Sequence, residues 1–145
     1  MKKVLWIATG GTIGMTKDES TGRLKPTLSA EKILKRIPEV NQLASVTAMD
    51  LFCLDSSNIG PEHWIKMVKL IEEHYASFDG FVVTHGTDTM HYSASALSFL
   101  IHNLGKPIVF TGSQIPFQSP TSDARSNFLR AVQAATMDLG EVAIA

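Results

Sequence analysis

Short uninterrupted apolar runs alternate along this chain with longer stretches in which apolar positions recur every three or four residues. Lys3 to Ala8 (KVLWIA), Phe81 to Thr84 and Ile108 to Thr111 are of the first kind, the pattern of strands covered on both faces. Val46 to Leu54 alternates more loosely and reads as another strand. Ser29 caps a helix with Ile33, Leu34 and Ile37 inward, ended by Pro38. Pro61 opens a second at the favoured first position, with Trp64, Met67, Val68, Ile71 and Tyr75 on its buried face. A third runs from Asp88 to Asn103 with Leu97, Leu100 and Ile101 inward, and Gly105 ends it. The last begins at Ser122-Asp123 and extends to Asp138. Glu141 to Ala145 then starts a further strand that stops without a turn or polar tail, so the chain reads as part of a longer protein. Strand–helix alternation at this spacing predicts an α/β fold, a parallel sheet between two helical layers with right-handed crossovers.

The polar residues gather where the strands end. Thr9 and Thr12, Asp55 to Ser57, Thr87 and Asp88, and Gly112 to Gln114 each follow an apolar run. In a parallel sheet all four groups emerge at the carboxyl edge, where ligands bind in open α/β folds. Acyl or amide chemistry there needs a nucleophilic oxygen, a base and donors for an oxyanion. Thr12 suits the first role, because its flanking glycines let a substrate approach the backbone closely. Thr87 and Asp88 supply a hydroxyl relay and a charged anchor. The segment Thr9 to Thr27 contains Gly10, Gly11, Gly14, Gly22 and Pro26 and shows no periodicity. It is long for a compact domain and reads as a functional loop or a lid.

Composition narrows the classes. With 145 residues, 44% of them apolar and 19% charged, the chain is long enough for one globular core. A net charge of −1 leaves no electrostatic footprint for nucleic acid or an anionic membrane. Cys53 is the only cysteine, so an internal disulfide is excluded, and its apolar neighbours predict a buried thiol. The N-terminal apolar run is too short for a signal sequence, and the chain reads as cytoplasmic.

Other motif readings fare worse. Gly10 to Gly14 fits neither G-x-G-x-x-G nor a P-loop, and no G-x-S-x-G elbow occurs. His63 and His74 stand about 16 Å apart along one helix, and His91 and His102 repeat that spacing. Neither pair chelates an ion unaided, so a bound metal is not expected.

Ala8 to Gly14 (ATGGTIG) and His85 to Met90 (HGTDTM) resemble the two signature motifs of the bacterial-type L-asparaginases. Asp55-Ser56-Ser57, Gly80 to Thr84, Ser93 to Phe99 and Thr111 to Pro116 look like the cytoplasmic type I branch, and the resemblance spans essentially the whole chain. It implies that Thr12 attacks the side-chain amide of L-asparagine, releasing ammonia and leaving an acyl-enzyme that water hydrolyses to aspartate. It makes Thr87 and Asp88 the second catalytic group, with Asp88 also holding the substrate amino group. Asp55, Ser56 and Ser57 would line the amino-acid end of the pocket, and Ser113 would lie near the amide. No cofactor is implied, and the family forms homodimers or homotetramers.

Two features depart from the family pattern. The lid tyrosine is missing, with Arg23 and Leu24 near its place, and the lysine completing the Thr–Lys–Asp group falls past Ala145. Residues 1–145 therefore read as an incomplete N-terminal domain without its smaller C-terminal domain. A glutaminase-like subunit of a tRNA-dependent amidotransferase, acting on L-glutamine, shares the motifs. Met1 just before the first strand is not the extra N-terminal domain it would carry. A non-catalytic amino-acid-binding fragment is the third reading.

Overall fold

The computed structural model describes residues 1–17, 24–26 and 29–145. In chain order the elements are β1 (Lys3–Gly10), β2 (Met15–Lys17), β3 (Leu24–Pro26), α1 (Ala30–Leu34), β4 (Ser45–Leu54), α2 (Pro61–His74), β5 (Gly80–Thr84), α3 (Met90–Leu100), β6 (Ile108–Thr111), α4 (Ala124–Ala135) and β7 (Val142–Ile144). The main sheet has five strands in the order β4-β1-β5-β6-β7, and every pair is parallel. The expected three-layer α/β fold forms, but its crossovers do not all share one hand. β5–α3–β6 and β6–α4–β7 step the same way along the sheet over opposite faces, so the two are of opposite hand.

Period-two alternation divides the core. Val4, Trp6, Val82 and Val109 face one layer and pack with Ile33 of α1 and Phe128, Ala131, Val132 and Ala135 of α4. Leu5, Ile7, Phe81, Val83, Ile108 and Phe110 face the other, against Met67 and Ile71 of α2 and Ala94 and Leu97 of α3. Strands buried on both faces have no polar positions to spare, which is why they read as continuous apolar runs. Trp6 is anchored twice: its ring lies 4.4 Å, centroid to centroid, from that of Phe128, and its Nε1–H donates to Thr84 Oγ1 at 3.0 Å.

This strand order creates the cleft. From β1 the chain passes through α1 on one face to β4, whereas from β5 it passes through α3 on the opposite face to β6. The loops leaving the adjacent strands β1 and β5 therefore diverge to opposite layers. That is a topological switch point, the place where open α/β sheets bind ligands.

Four further expectations change. The segment after β1 is not wholly irregular: β2 and β3 pair antiparallel, Met15 opposite Pro26, while Arg23 lies outside the described residues. The α3 helix starts at Met90, so Asp88 sits in a turn instead of the first helical turn. Leu100 is 44% exposed, because Met90, Ala94 and Leu97 form the sheet-facing stripe and Leu100 falls to one side of it. Cys53 is exposed, not buried. Opposite the two-residue step from Ala8 to Gly10, β4 advances from Asp50 to Leu54, so Leu51–Cys53 bulge from an edge strand.

Candidate functional site

β1 ends at Gly10, and Gly11 leads into a short 3-10 turn, Thr12–Gly14. Gly11 has φ +80° and lies against the β5 exit so closely that a Cβ there would stand 2.7 Å from Gly86 N and 2.9 Å from Gly86 Cα. Only hydrogen at that position permits the contact. Thr12 and Thr87, each the next residue in sequence, are thereby held on neighbouring backbones.

The two other exits close around this pair. A Cβ on Gly86 would stand 2.6 Å from Ser56 Oγ, and Thr89 Oγ1 donates to Ser56 O at 2.7 Å. The methyl of Thr87 lies beside Gly112, which precedes Ser113. Ser56 and Ser113 are both 3% exposed, whereas Asp55, Ser57 and Asp88 stand at the exposed rim. Asp55 Oδ1 accepts the Ser57 N–H at 2.9 Å and the Ser57 hydroxyl at 2.6 Å, capping the 3-10 turn Ser56–Asn58. The hydroxyl of Ser57, then its N–H, hold the Asp55 carboxyl below the usual carboxylate range.

Ser113 Oγ is buried and has no hydrogen-bond partner among the described residues. Such a group is costly unless something occupies the space beside it. Its loop is firmly held. Asp123 accepts the N–H groups of Gln114 and Ile115 at 3.0 and 3.1 Å, and Asn127 Nδ2 donates to Gly112 O at 3.0 Å. Desolvation raises the Asp123 carboxyl, but these N–H donors and Asn127 together bring it below its ordinary value.

Thr9 is excluded from chemistry by its own bonding. It is fully buried, and its hydroxyl donates to Thr84 O at 2.8 Å, tying β1 to β5. Thr12 is partly exposed. A cavity of about 420 Å³ opens beneath the Thr12–Gly14 turn, between α1 and the β1–β4 edge, lined by Trp6, Ile13, Ile33, Asp50 and Phe52. Thr87, Asp88, Ser56 and Ser113 do not border it, so its shape does not define the polar cleft. Among the described residues no three His, Cys, Asp or Glu side chains cluster as metal ligands. No helix there is long and apolar enough to cross a membrane. His63 accepts the Gly60 N–H through Nδ1 at 3.1 Å and so caps α2.

Residues 3–145 match the family model described as asparaginase, N-terminal. The chain belongs to the asparaginase family. It is 42% identical over 138 residues to a glutamyl-tRNA(Gln) amidotransferase subunit of Archaeoglobus fulgidus, covering 95% of this chain and 33% of that protein. L-asparaginase I from Vibrio cholerae superposes with a TM-score of 0.89 at 39% identity, covering 99% of this chain and 44% of that one. The thermostable L-asparaginase from Thermococcus kodakarensis gives 0.85 at 38% identity, covering 99% and 43%. This asparaginase-family chain thus spans about a third of the length of the curated relatives it matches.

Composition and periodicity missed one part of this asparaginase-family site. His85, 1% exposed, bonds through Nδ1 to Gly86 O at 2.7 Å and through Nε2 to Ser93 Oγ at 2.8 Å. Trp64 Nε1 donates to the same Ser93 oxygen at 2.9 Å. The signal was a histidine at the end of a strand-like apolar run and directly before a glycine. Desolvation lowers the His85 imidazole below its ordinary value of 6.5, outweighing the bond to Gly86, which favours the charged form. The unfolded chain binds this proton near 6.5 and the folded chain does not. The stability from neutral His85 is therefore complete above about pH 6.5 and is lost as pH falls through the lower folded value. Thermal melts between about pH 8 and pH 5 should show this decline in the wild type, and a flatter profile in His85→Asn.

Proposed function

We propose that this chain is the N-terminal catalytic domain, residues 1–145, of an amidohydrolase that converts L-asparagine to L-aspartate and ammonia. Thr12 Oγ attacks the side-chain carboxamide carbon, and its proton leaves with the nitrogen as ammonia. Water then hydrolyses the resulting ester. Thr87 and Asp88 form the second catalytic group, with Asp88 also pairing with the substrate ammonium. Ser56 and the rim residues Asp55 and Ser57 receive the amino-acid end, and the Ser113 segment approaches the amide. The observation that carries this reading is the Gly11–Gly86 backbone contact at the switch point, which sets the two threonine-bearing turns side by side. The buried Ser113 hydroxyl, without a hydrogen-bond partner among the described residues, supports a polar ligand beside them.

The coverage of the relatives supports a longer parent chain, which would supply the lysine of the Thr–Lys–Asp group and a smaller C-terminal domain. We place that parent in the cytoplasm as a homodimer or homotetramer. A second reading, the glutaminase subunit of a tRNA-dependent amidotransferase, is favoured by the amidotransferase relatives at 42% and 41% identity. Ammonia release by the full-length protein from L-asparagine and from L-glutamine separates the two. Preference for asparagine without a partner supports the first reading. Glutamine turnover that requires a partner protein supports the second, and binding of either amino acid without turnover contradicts both.

A further inference from the structure

The hydrogen bonds around His85 close only one way. Gly86 O accepts and cannot donate, so Nδ1 carries a proton. Burial keeps the ring neutral, which leaves Nε2 as a lone pair. Ser93 must then donate its hydroxyl proton to Nε2, and its oxygen lone pair takes the Trp64 indole N–H, a group that can only donate. Trp64, Ser93, His85 and Gly86 O thus form one directed chain running from α2 through α3 to the β5 exit. The ring is also tilted against Phe110, with centroids 5.9 Å apart, so it has little freedom to turn.

We infer that His85 is a positioning residue for Thr87: through Nδ1–H it locks the Gly86 carbonyl, and so fixes the Gly86–Thr87 peptide plane. The peptide is planar and trans, so its C=O and N–H point in opposite directions. Turning Gly86 O inward onto the imidazole sends the Thr87 N–H outward and sets where the Thr87 side chain starts. Gly11 and Ser56 pack against Gly86, but without a Cβ Gly86 does not itself limit the rotation of its carbonyl, and the bond from His85 does. Ser93 and Trp64 act one and two steps back, by holding His85 in its Nδ1–H form. Catalytic groups misplaced by about 1 Å lose about a hundredfold in rate, so even a small tilt of this plane matters. The inference rests on the amidohydrolase reading of Thr87.

The test compares His85→Leu and His85→Asn in the full-length protein, with Thr12→Ala alongside. His85→Leu removes the donor and is expected to lower kcat about 10- to 100-fold, with KM for L-asparagine changed less than about threefold. In His85→Asn the side-chain Nδ2 can donate to Gly86 O from nearly the same place. It should recover at least about tenfold of the lost kcat. Unchanged kcat in His85→Leu, or equal loss in both variants, overturns the positioning role. Nitrogen-15 NMR of the wild-type imidazole provides a readout independent of the variants' folding. It should report the Nδ1–H tautomer at neutral pH, and the Nε2–H tautomer or a charged ring would contradict the inference. If Thr12→Ala retains wild-type turnover, the amidohydrolase reading fails instead, and the NMR result still decides the hydrogen-bond chain.

Discussion

Thr12→Ala in the full-length protein should reduce ammonia release from L-asparagine by about 10⁴-fold or more, while the melting temperature scarcely moves. The two halves of that expectation have separate causes. Thr12 lies in the 3-10 turn after β1, partly exposed and beside the cleft that the strand order opens. Losing its hydroxyl removes the proposed attacking atom without disturbing the core. Thr9, three residues earlier, is the contrasting control. Its hydroxyl bridges β1 to Thr84 O from a fully buried position, so Thr9→Val should lower stability by about 1–3 kcal/mol. An ammonia assay paired with thermal melting distinguishes the two threonines. If both substitutions act mainly on stability, the nucleophile assignment loses its support.

Gly11→Ala should be as damaging, by a different route. At φ +80° and ψ 178° Gly11 occupies backbone space in which other residues are strained by about 1–3 kcal/mol. The added methyl would also stand 2.7 and 2.9 Å from backbone atoms of Gly86, which cannot swing aside as a flexible side chain would. Together these should cost about 3–5 kcal/mol, a large part of the roughly 5–15 kcal/mol that holds a typical domain folded. Any molecules that remain folded must hold the Thr12 and Thr87 turns further apart, so activity should fall as well. Urea denaturation measures the first effect. Gly60→Ala is the control: among the described residues beyond its chain neighbours, no atom lies within 4 Å of the methyl it would add, and its midpoint should fall far less. Equal midpoints for the two variants would show that the Gly11–Gly86 contact is not a constraint.

The sequence made the layers legible because both faces of the sheet are covered. Runs such as Val4–Ile7 and Phe81–Val83 are wholly buried, and continuous apolar runs are what such strands require. Cys53 was misread for the converse reason. It stands in an apolar run, but on an edge strand at a register shift, and edge position and bulges depend on pairing partners distant in sequence. Leu100 shows the same limit at a helix end, where one residue decides whether a side chain meets the sheet. At the site, the glycines and threonines marked the strand exits, but the contact between Gly11 and Gly86 depends on β1 and β5 being neighbours across the switch point. The His85 chain was least legible. It links Trp64, His85 and Ser93 from three separate parts of the chain, and apolar periodicity reads Trp64 only as packing.

Covalent chemistry at Thr12 is tested most directly by trapping the intermediate. The full-length protein would be mixed with L-asparagine, quenched in acid within the first turnovers, digested and examined by mass spectrometry. The peptide containing Thr12 should carry the added mass of one aspartyl residue, and the Thr12→Ala protein should carry none. An aspartyl adduct on Thr87 or another residue, or steady turnover with no adduct on the Thr12 peptide in any quenched sample, would contradict the account.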